Sequence, residues 1–255
     1  MSTVSATLRA ALTEAWSNRA SFWTQLSAMA VNDLMWVVLW VLFFNRAGSV
    51  SGWDRSRVLL LLAIITTGAG LVLGLLSNSR RIGQLIAAGD IDAALALPVP
   101  TLPYLLVRRV DPVNLGDSFF GIGLFFIACH PTPERFVVWL IGSALGGLVF
   151  LGFLVLVGSL AFFTGRSEAG DLGFQAIILL ASYPVDIFSG ATKVLLYTAL
   201  PAAFVSVVPA RLVEHVTLAS LGELLLAAAA FSLGAIGVFS LGLRRYTSHA
   251  LWTRA

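Results

Sequence analysis

The sequence predicts an all-α integral membrane protein with six transmembrane helices, on three observations. First, 58% of the residues are hydrophobic and only 11% are charged. A soluble domain carries about 25% charge, so this chain is too poor in charge to coat a water-facing surface. Second, apolar stretches of span length recur at 26–44, 58–76, 113–129, 136–163, within 171–208 and at 216–243, against the roughly 20 residues a bilayer requires. Third, one interval, 77–112, interrupts the pattern with charge, Gly and Pro, and has an organisation of its own. The net charge of +3 gives no reason to expect nucleic acid; in a membrane protein the placement of basic residues is more informative than their sum.

Residues 3–20 predict an interfacial helix, with Val4, Leu8, Leu12, Ala15 and Trp16 on one face and Arg9, Glu14 and Arg19 off it. The alternative is a frayed tail. Met1 to Ala20 has no apolar core of the kind a cleaved signal carries. The first span, 26–44, contains Asn32 and Asp33. A carboxylate near mid-bilayer costs roughly 2.5–3.5 kcal/mol on insertion scales, so Asp33 is expected to face protein or water. The second span, 58–76, carries a small-xxx-small pair, Gly70 and Gly74, suited to close approach of another helix. Asp111–Pro112 reads as a cap plus first helical position for the third span, 113–129. His130–Pro133 reads as a tight turn, and 136–163 as a long fourth span that, with Gly142, Gly146 and Gly147 in it, is tilted or kinked or projects beyond the hydrocarbon. Cys129, the single cysteine, reads as a buried small residue.

The region 165–209 admits two arrangements. Either a short fifth span ends near Tyr183 and a re-entrant segment follows, or an interfacial helix precedes a span at 187–208. Broken backbone at membrane depth is tolerated only against protein or a water-filled cavity, so both arrangements make this region line something. The last span, 216–243, holds Glu223 near its start.

The interval 77–112 is the candidate docking segment. Apolar residues at Ile82, Leu85 and Ile86, then at Ile91, Ala94 and Leu95, have helical spacing on either side of Gly89–Asp90. Gly89 fits a helix end and Asp90 a cap for the next helix. Pro98, Pro100 and Pro103 then re-aim the chain, and Arg80, Arg81, Arg108 and Arg109 bracket the whole. The bland reading is a loop of two amphipathic helices lying on the membrane. Basic residues are twice as frequent on the side of this interval and the termini, which places both termini in the cytoplasm.

The chain has no phosphate-binding G-x-x-x-x-G-K-[ST] loop, no H-E-x-x-H and no paired Cys, and its His residues stand alone. It is not expected to be an enzyme by itself, nor to hold a cofactor or metal. The intramembrane acids Asp33, Asp117 and Glu223 could relay protons or bind a cationic substrate. Asp117 and Glu223, near span ends, are expected simply to reach water, whereas for Asp33 both readings stand. A proton-coupled secondary transporter or channel using Asp33 and Glu223 is the competing reading.

The run I-x-x-G-x-I-D-x-x-L-x-x-P-V, from Ile86 through Gly89, Ile91, Asp92 and Leu95 to Pro98 and Val99, resembles the cytoplasmic segment between spans two and three of type-two ATP-binding-cassette exporter permeases. Tyr183–Pro184 with Ile187–Phe188, Leu200–Pro201 with Phe204, Val208–Pro209–Ala210 and the closing Leu243–Arg244–Arg245–Tyr246 are similar to the bacterial branch in which two related six-span permeases accompany one ATPase. The resemblance implies a permease of the inner membrane, paired with a second, identical or homologous permease and served by two copies of a separate ATPase that holds ATP and magnesium. It implies that Gly83, Ile86, Gly89, Asp90, Ile91, Asp92, Leu95, Pro98 and Val99 form a coupling helix seated on that ATPase. It implies a re-entrant outer part of the pathway around Tyr183, Pro184, Lys193, Pro201, Phe204 and Pro209, to which Asn32, Asp33 and Glu223 add intramembrane polar groups. The implied function is efflux of a small molecule, lipid or peptide, drugs and antibiotics included.

Overall fold

The computed structural model describes residues 19–128 and 131–246, with scattered positions before Arg19. Among these every regular element is helical, apart from a lone bridge between Val50 and Trp53. The expected interfacial helix over 3–20 falls largely outside the described residues, as do Cys129 and His130.

Helix α1 runs Arg19–Ala47, beyond both ends of the expected span. It stops at Gly48, whose φ of 71° is the left-handed conformation that glycine adopts without strain. The Val50–Trp53 bridge closes a two-residue turn with positive φ at Ser51 and Gly52. Asp54 then starts α2, Arg55–Leu75, by accepting the Arg57 N–H. Of the four long apolar helices, α2 is the most enclosed, and glycines let its neighbours approach. A Cβ at Gly70 would stand 2.7 Å from Ser118 N and 2.9 Å from Asn114 O, both on α6 (Pro112–Ala128). Gly74 meets Leu115 of the same helix, so the Gly70/Gly74 pair faces α6.

The interval after α2 is compact. A 3-10 turn at Ser77–Arg81 leads into α3 (Ile82–Ala87), then α4 (Asp92–Leu95) and α5 (Thr101–Val107). Asn78 donates to Leu105 O at 2.8 Å and Ser77 to Arg109 O at 2.8 Å, tying the two ends together. Gly89, at φ 79°, makes the break between α3 and α4. Asp90 does not cap α4, contrary to expectation: Ile91 sits at the cap position in helical conformation with no side-chain bond. The reason is local, since the Asp92 N–H that such a cap would take already donates to Gly89 O. Helix α5 turns 78° to α6, whose start is set by Pro112 and by Asp111 accepting the Val113 N–H at 3.0 Å.

Helix α7, Pro133–Ser159, is started by Thr132, which accepts the Arg135 N–H. A break at Leu160 separates it from the single turn α8, Ala161–Thr164. The glycines of α7 serve close packing. Gly147 lies against Gly68 of α2, and Gly142 against Pro209. Helix α9 covers Glu168–Ala181. No continuous helix forms over 187–208; instead a 3-10 turn at Val185–Ile187, α10 (Gly190–Tyr197), a π turn at Ala203–Val207 and α11 (Val208–Glu214) follow one another. Helix α12, Leu218–Arg245, closes the described chain.

Two ends of the bundle emerge. Gly83 packs near Gly158 and Ser167, and Arg245 lies over the Phe163 ring, so the 77–111 interval, the 160–167 turn and the end of α12 share one end. Loop 48–54 and the 183–217 region share the other, through contacts of Trp53 and Arg57 with Asp186 and Glu214. Four helices are long and apolar enough to cross a membrane, at 22–47, 55–75, 133–164 and 218–245, and the bent α5–α6 pair can count as a fifth.

Candidate functional site

The nine predicted docking residues divide into a foot and a tip. Ile86 and Ile91 are buried in an apolar cluster with Leu105, Val155 and Phe239, which fixes the interval to α7 and α12, and Gly83 is buried beside them. Gly83 sits so close to Gly158 that the two backbones are in contact across α3 and α7. Asp90, Leu95 and Pro98 are exposed, whereas Gly89, Asp92 and Val99 are partly covered. Leu95 and Leu97 are each 39% exposed beside Ala93, Ala96 and Pro98. A rigidly anchored segment thus presents an apolar tip away from the bundle.

Tyr183, Pro184, Lys193, Pro201, Phe204 and Pro209 lie in the opposite half of the bundle, and Lys193 among them joins a charged node. Asp186 accepts hydrogen bonds from Trp53 Nε1 at 3.1 Å, Lys193 Nζ at 2.9 Å and an Arg211 guanidinium nitrogen at 2.5 Å. Burial acts to raise its pKa, but the bonds from Lys193, Arg211 and Trp53 outweigh it and hold the carboxyl below its usual range. Arg57 adds an ion pair with Glu214 at 2.8 Å. Tyr183 packs edge-on against Trp36 and Trp40, and Phe204 against Tyr197. Lys193 is therefore a clasp residue held by Asp186. Asp186, Arg211 and Trp53 were not singled out from sequence, although opposite charges at 186 and 193 within an apolar stretch were a signal for pairing.

The clasp sits above a buried segment. Gly146 lies between three and four turns into α7, roughly 20 Å from its start at 1.5 Å per residue. A Cβ there would stand 2.8 Å from the Val205 carbonyl oxygen. Pro209 cannot give that carbonyl the i+4 donor of an α-helix, which accounts for the wider turn at Ala203–Val207. The chain from Pro201 to Ala210 thus dips deep between α2 and α7, and only Phe204 in it is not fully buried.

Asp186→Asn removes the charge that organises this node, and we expect a loss of about 1–3 kcal/mol in stability. In the native protein the folded pKa is depressed, so the clasp's contribution is complete above the unfolded value near 4 and is lost as pH falls through the folded value. Thermal unfolding at pH 7 and below pH 4 checks both: the difference between Asp186→Asn and the native chain narrows in acid.

Glu223, exposed on α12, is not among the residues around Asn32 and Asp33. Asp33 is buried and Asn32 exposed, and both share with Asp117 one cavity between α1, α2, α6 and α9. Arg80 lies at its inner rim, stacked 4.2 Å over the Phe174 ring. Among the described residues no cluster of three or more His, Cys, Asp or Glu could hold a metal ion.

Helices of this length and apolarity, closely packed through glycine, define a multi-pass membrane protein with an extramembrane interval at one end and broken, buried backbone at the other. The chain belongs to the ABC-2 family of transporter proteins, whose family model matches residues 30–250. It is accordingly a permease subunit of an ABC transporter, a system in which an ATPase partner is implied. No curated protein and no solved structure gives a match.

Proposed function

We propose that the chain is the membrane permease of an ABC exporter, forming the translocation pathway and coupling ATP hydrolysis by a separate ATPase to efflux of a small molecule, lipid or peptide. Six spans follow if α6 and α9 cross with the four long helices. Lys193, bound to Asp186, belongs to the clasp end, which leaves nine basic residues among the described ones at the docking end against six at the other. That bias supports a docking end and termini in the cytoplasm, with the bundle in the inner membrane.

The observation that carries the reading is the apolar tip around Leu95 and Leu97 on a segment anchored by Ile82, Ile86 and Ile91. An anchored foot transmits force, and an exposed tip offers a surface to grip. On this reading α4 and the following turn to Pro98 seat in a cleft of the ATPase, of which two copies bind ATP and magnesium beneath a pair of permeases, identical or homologous. Nucleotide-driven closure moves the tip, and the tie from Asn78 to Leu105 passes that movement to α2 and α6 as levers. The chain itself performs no catalysis. Glu223 is exposed and does not line the cavity that holds Asp33, so no contact between the two speaks for a proton relay.

Leu97→Asp tests the reading without touching the foot. It is expected to reduce recovery of the partner ATPase in pull-downs from membranes about tenfold, the scale of a lost apolar contact at an interface, with unchanged amounts of permease. Full recovery would place the ATPase contact elsewhere.

A further inference from the structure

An open cavity of about 860 Å³ lies at the docking end, and Leu95, Leu97 and Pro98 of the tip do not line it. Its walls come from the start of α1, the stretch 78–93, the end of α5 and the start of α6. Leu85, Leu105 and Val113, all buried, and Phe22, partly covered, give it apolar surface. Phe22 opens the span-length apolar part of α1 and Pro112 opens α6, so the cavity lies where two helices leave the apolar layer. Arg81, Arg108 and Arg109 face it, and so do the acids Glu14, Asp90, Asp92 and Asp111. Among the described residues none of these three arginines forms an ion pair; the ion pairs found are Arg57–Glu214, Lys193–Asp186 and Arg211–Asp186. Asp111 already accepts the Val113 N–H. Asp90 and Glu14 are exposed and form no ion pair either.

Opposite charges that line one cavity without closing on each other are complementary to a ligand that carries both signs. A guanidinium donates paired N–H bonds to phosphate oxygens, and a carboxylate accepts from a primary ammonium. A purely anionic ligand would be repelled by Asp90 and Glu14, and a metal ion would meet three guanidinium groups. The apolar walls and the level of the site favour a ligand whose remainder stays in the bilayer. We propose that this cavity binds the headgroup of an aminophospholipid, its phosphate on Arg81, Arg108 and Arg109 and its ammonium on Asp90 and Glu14. The lipid is a fixed brace and not cargo: a headgroup held between α1 and the stretch 78–93 steadies the docking interval against the membrane surface. The inference goes beyond the permease reading and takes from it only that this end meets the cytoplasmic leaflet; binding needs neither ATP nor the ATPase.

The test uses the full chain in detergent micelles, equilibrated with phosphatidylethanolamine radiolabelled in its acyl chains and separated by gel filtration. Saturable retention of the lipid is expected. The double substitution Arg108→Gln and Arg109→Gln is expected to weaken it by about tenfold or more, the scale of lost charge-assisted hydrogen bonds, and the same pair changed to Lys by less. Asp90→Asn is expected to weaken phosphatidylethanolamine but not phosphatidylglycerol, which has the phosphate and lacks the ammonium. A diacyl lipid with a trimethylammonium head and no phosphate is expected not to compete, and soluble glycerophosphoethanolamine to compete only at far higher concentration. Should the double Gln variant fail to accumulate, the competitor series on the native chain and the headgroup preference of Asp90→Asn decide. Undiminished retention in the Gln variant, or equal competition by the phosphate-free lipid, overturns the proposal. So does an unchanged headgroup preference in Asp90→Asn, which would leave a plain anion site, or equal competition by the soluble head, which would make the ligand a soluble zwitterion. Each of these leaves the permease reading standing, because Leu97→Asp scores the ATPase contact separately; full ATPase recovery in that variant, with the lipid bound as expected, would count against the docking assignment and leave this site in place.

Discussion

Gly89→Pro is expected to lower transport-coupled ATP hydrolysis by about tenfold or more, equivalent to roughly 1.4 kcal/mol of coupling, while the chain still inserts. Gly89 has φ 79°, and proline is confined near −65°. The substitution also deletes the N–H that donates to Ile86 O at 3.1 Å. The neighbouring bonds from Asp90 to Leu85 O at 2.9 Å and from Asp92 to Gly89 O at 3.1 Å depend on the same turn. With the turn opened, the tip at Leu95–Pro98 points elsewhere, although the spans are untouched. Asp92→Arg should share the loss, because it places a cation beside the same break. Reconstituted complexes assayed for ATPase activity with and without permease decide this. Native stimulation in the Gly89→Pro complex would mean that the ATPase does not read this turn.

The second large effect belongs to the buried segment at the other end. Gly146→Val places a branched side chain where even a Cβ would stand 2.8 Å from Val205 O and 3.3 Å from Phe204 O. These are backbone atoms in a segment packed on both sides, so they cannot step aside as a side-chain tip would. Overpacking of this kind costs about 1–3 kcal/mol. Transport is expected to fall more steeply than stability, because the displaced residues are those proposed to line the outer pathway. Thermal unfolding and efflux measured on one preparation separate the two; native efflux in Gly146→Val would show that the Pro201–Pro209 segment has no part in the pathway.

The two ends of the molecule were unequally legible in the sequence. The docking interval follows local rules: apolar residues at helical spacing, a glycine where φ must be positive, and Asp111–Pro112 at a helix start. Its foot and tip were not separable, because which of Ile86, Ile91 and Leu95 is buried depends on α7 and α12, remote in sequence. The 183–214 region obeys tertiary rules. Its broken backbone is stabilised by glycines of α7 and by a carboxylate bonded to Trp53, Lys193 and Arg211. Asp117 looked like a span-end residue reaching water, and only the fold reveals that it shares a cavity with Asp33, while Glu223 does not. Hydropathy records how greasy a helix is; it carries little information on which helix it faces.

The central claim is that the tip of the 77–112 interval is gripped by an ATPase on the cytoplasmic side. Cys129 is the single cysteine, so Cys129→Ser gives a thiol-free background in which Leu97→Cys carries the only thiol. Cross-linking of that thiol in native membranes to the co-expressed ATPase is predicted to give a single heterodimeric product, and external impermeant thiol reagents are predicted not to block it. Labelling of the Leu97→Cys thiol from outside intact cells, with no ATPase adduct, would contradict the account.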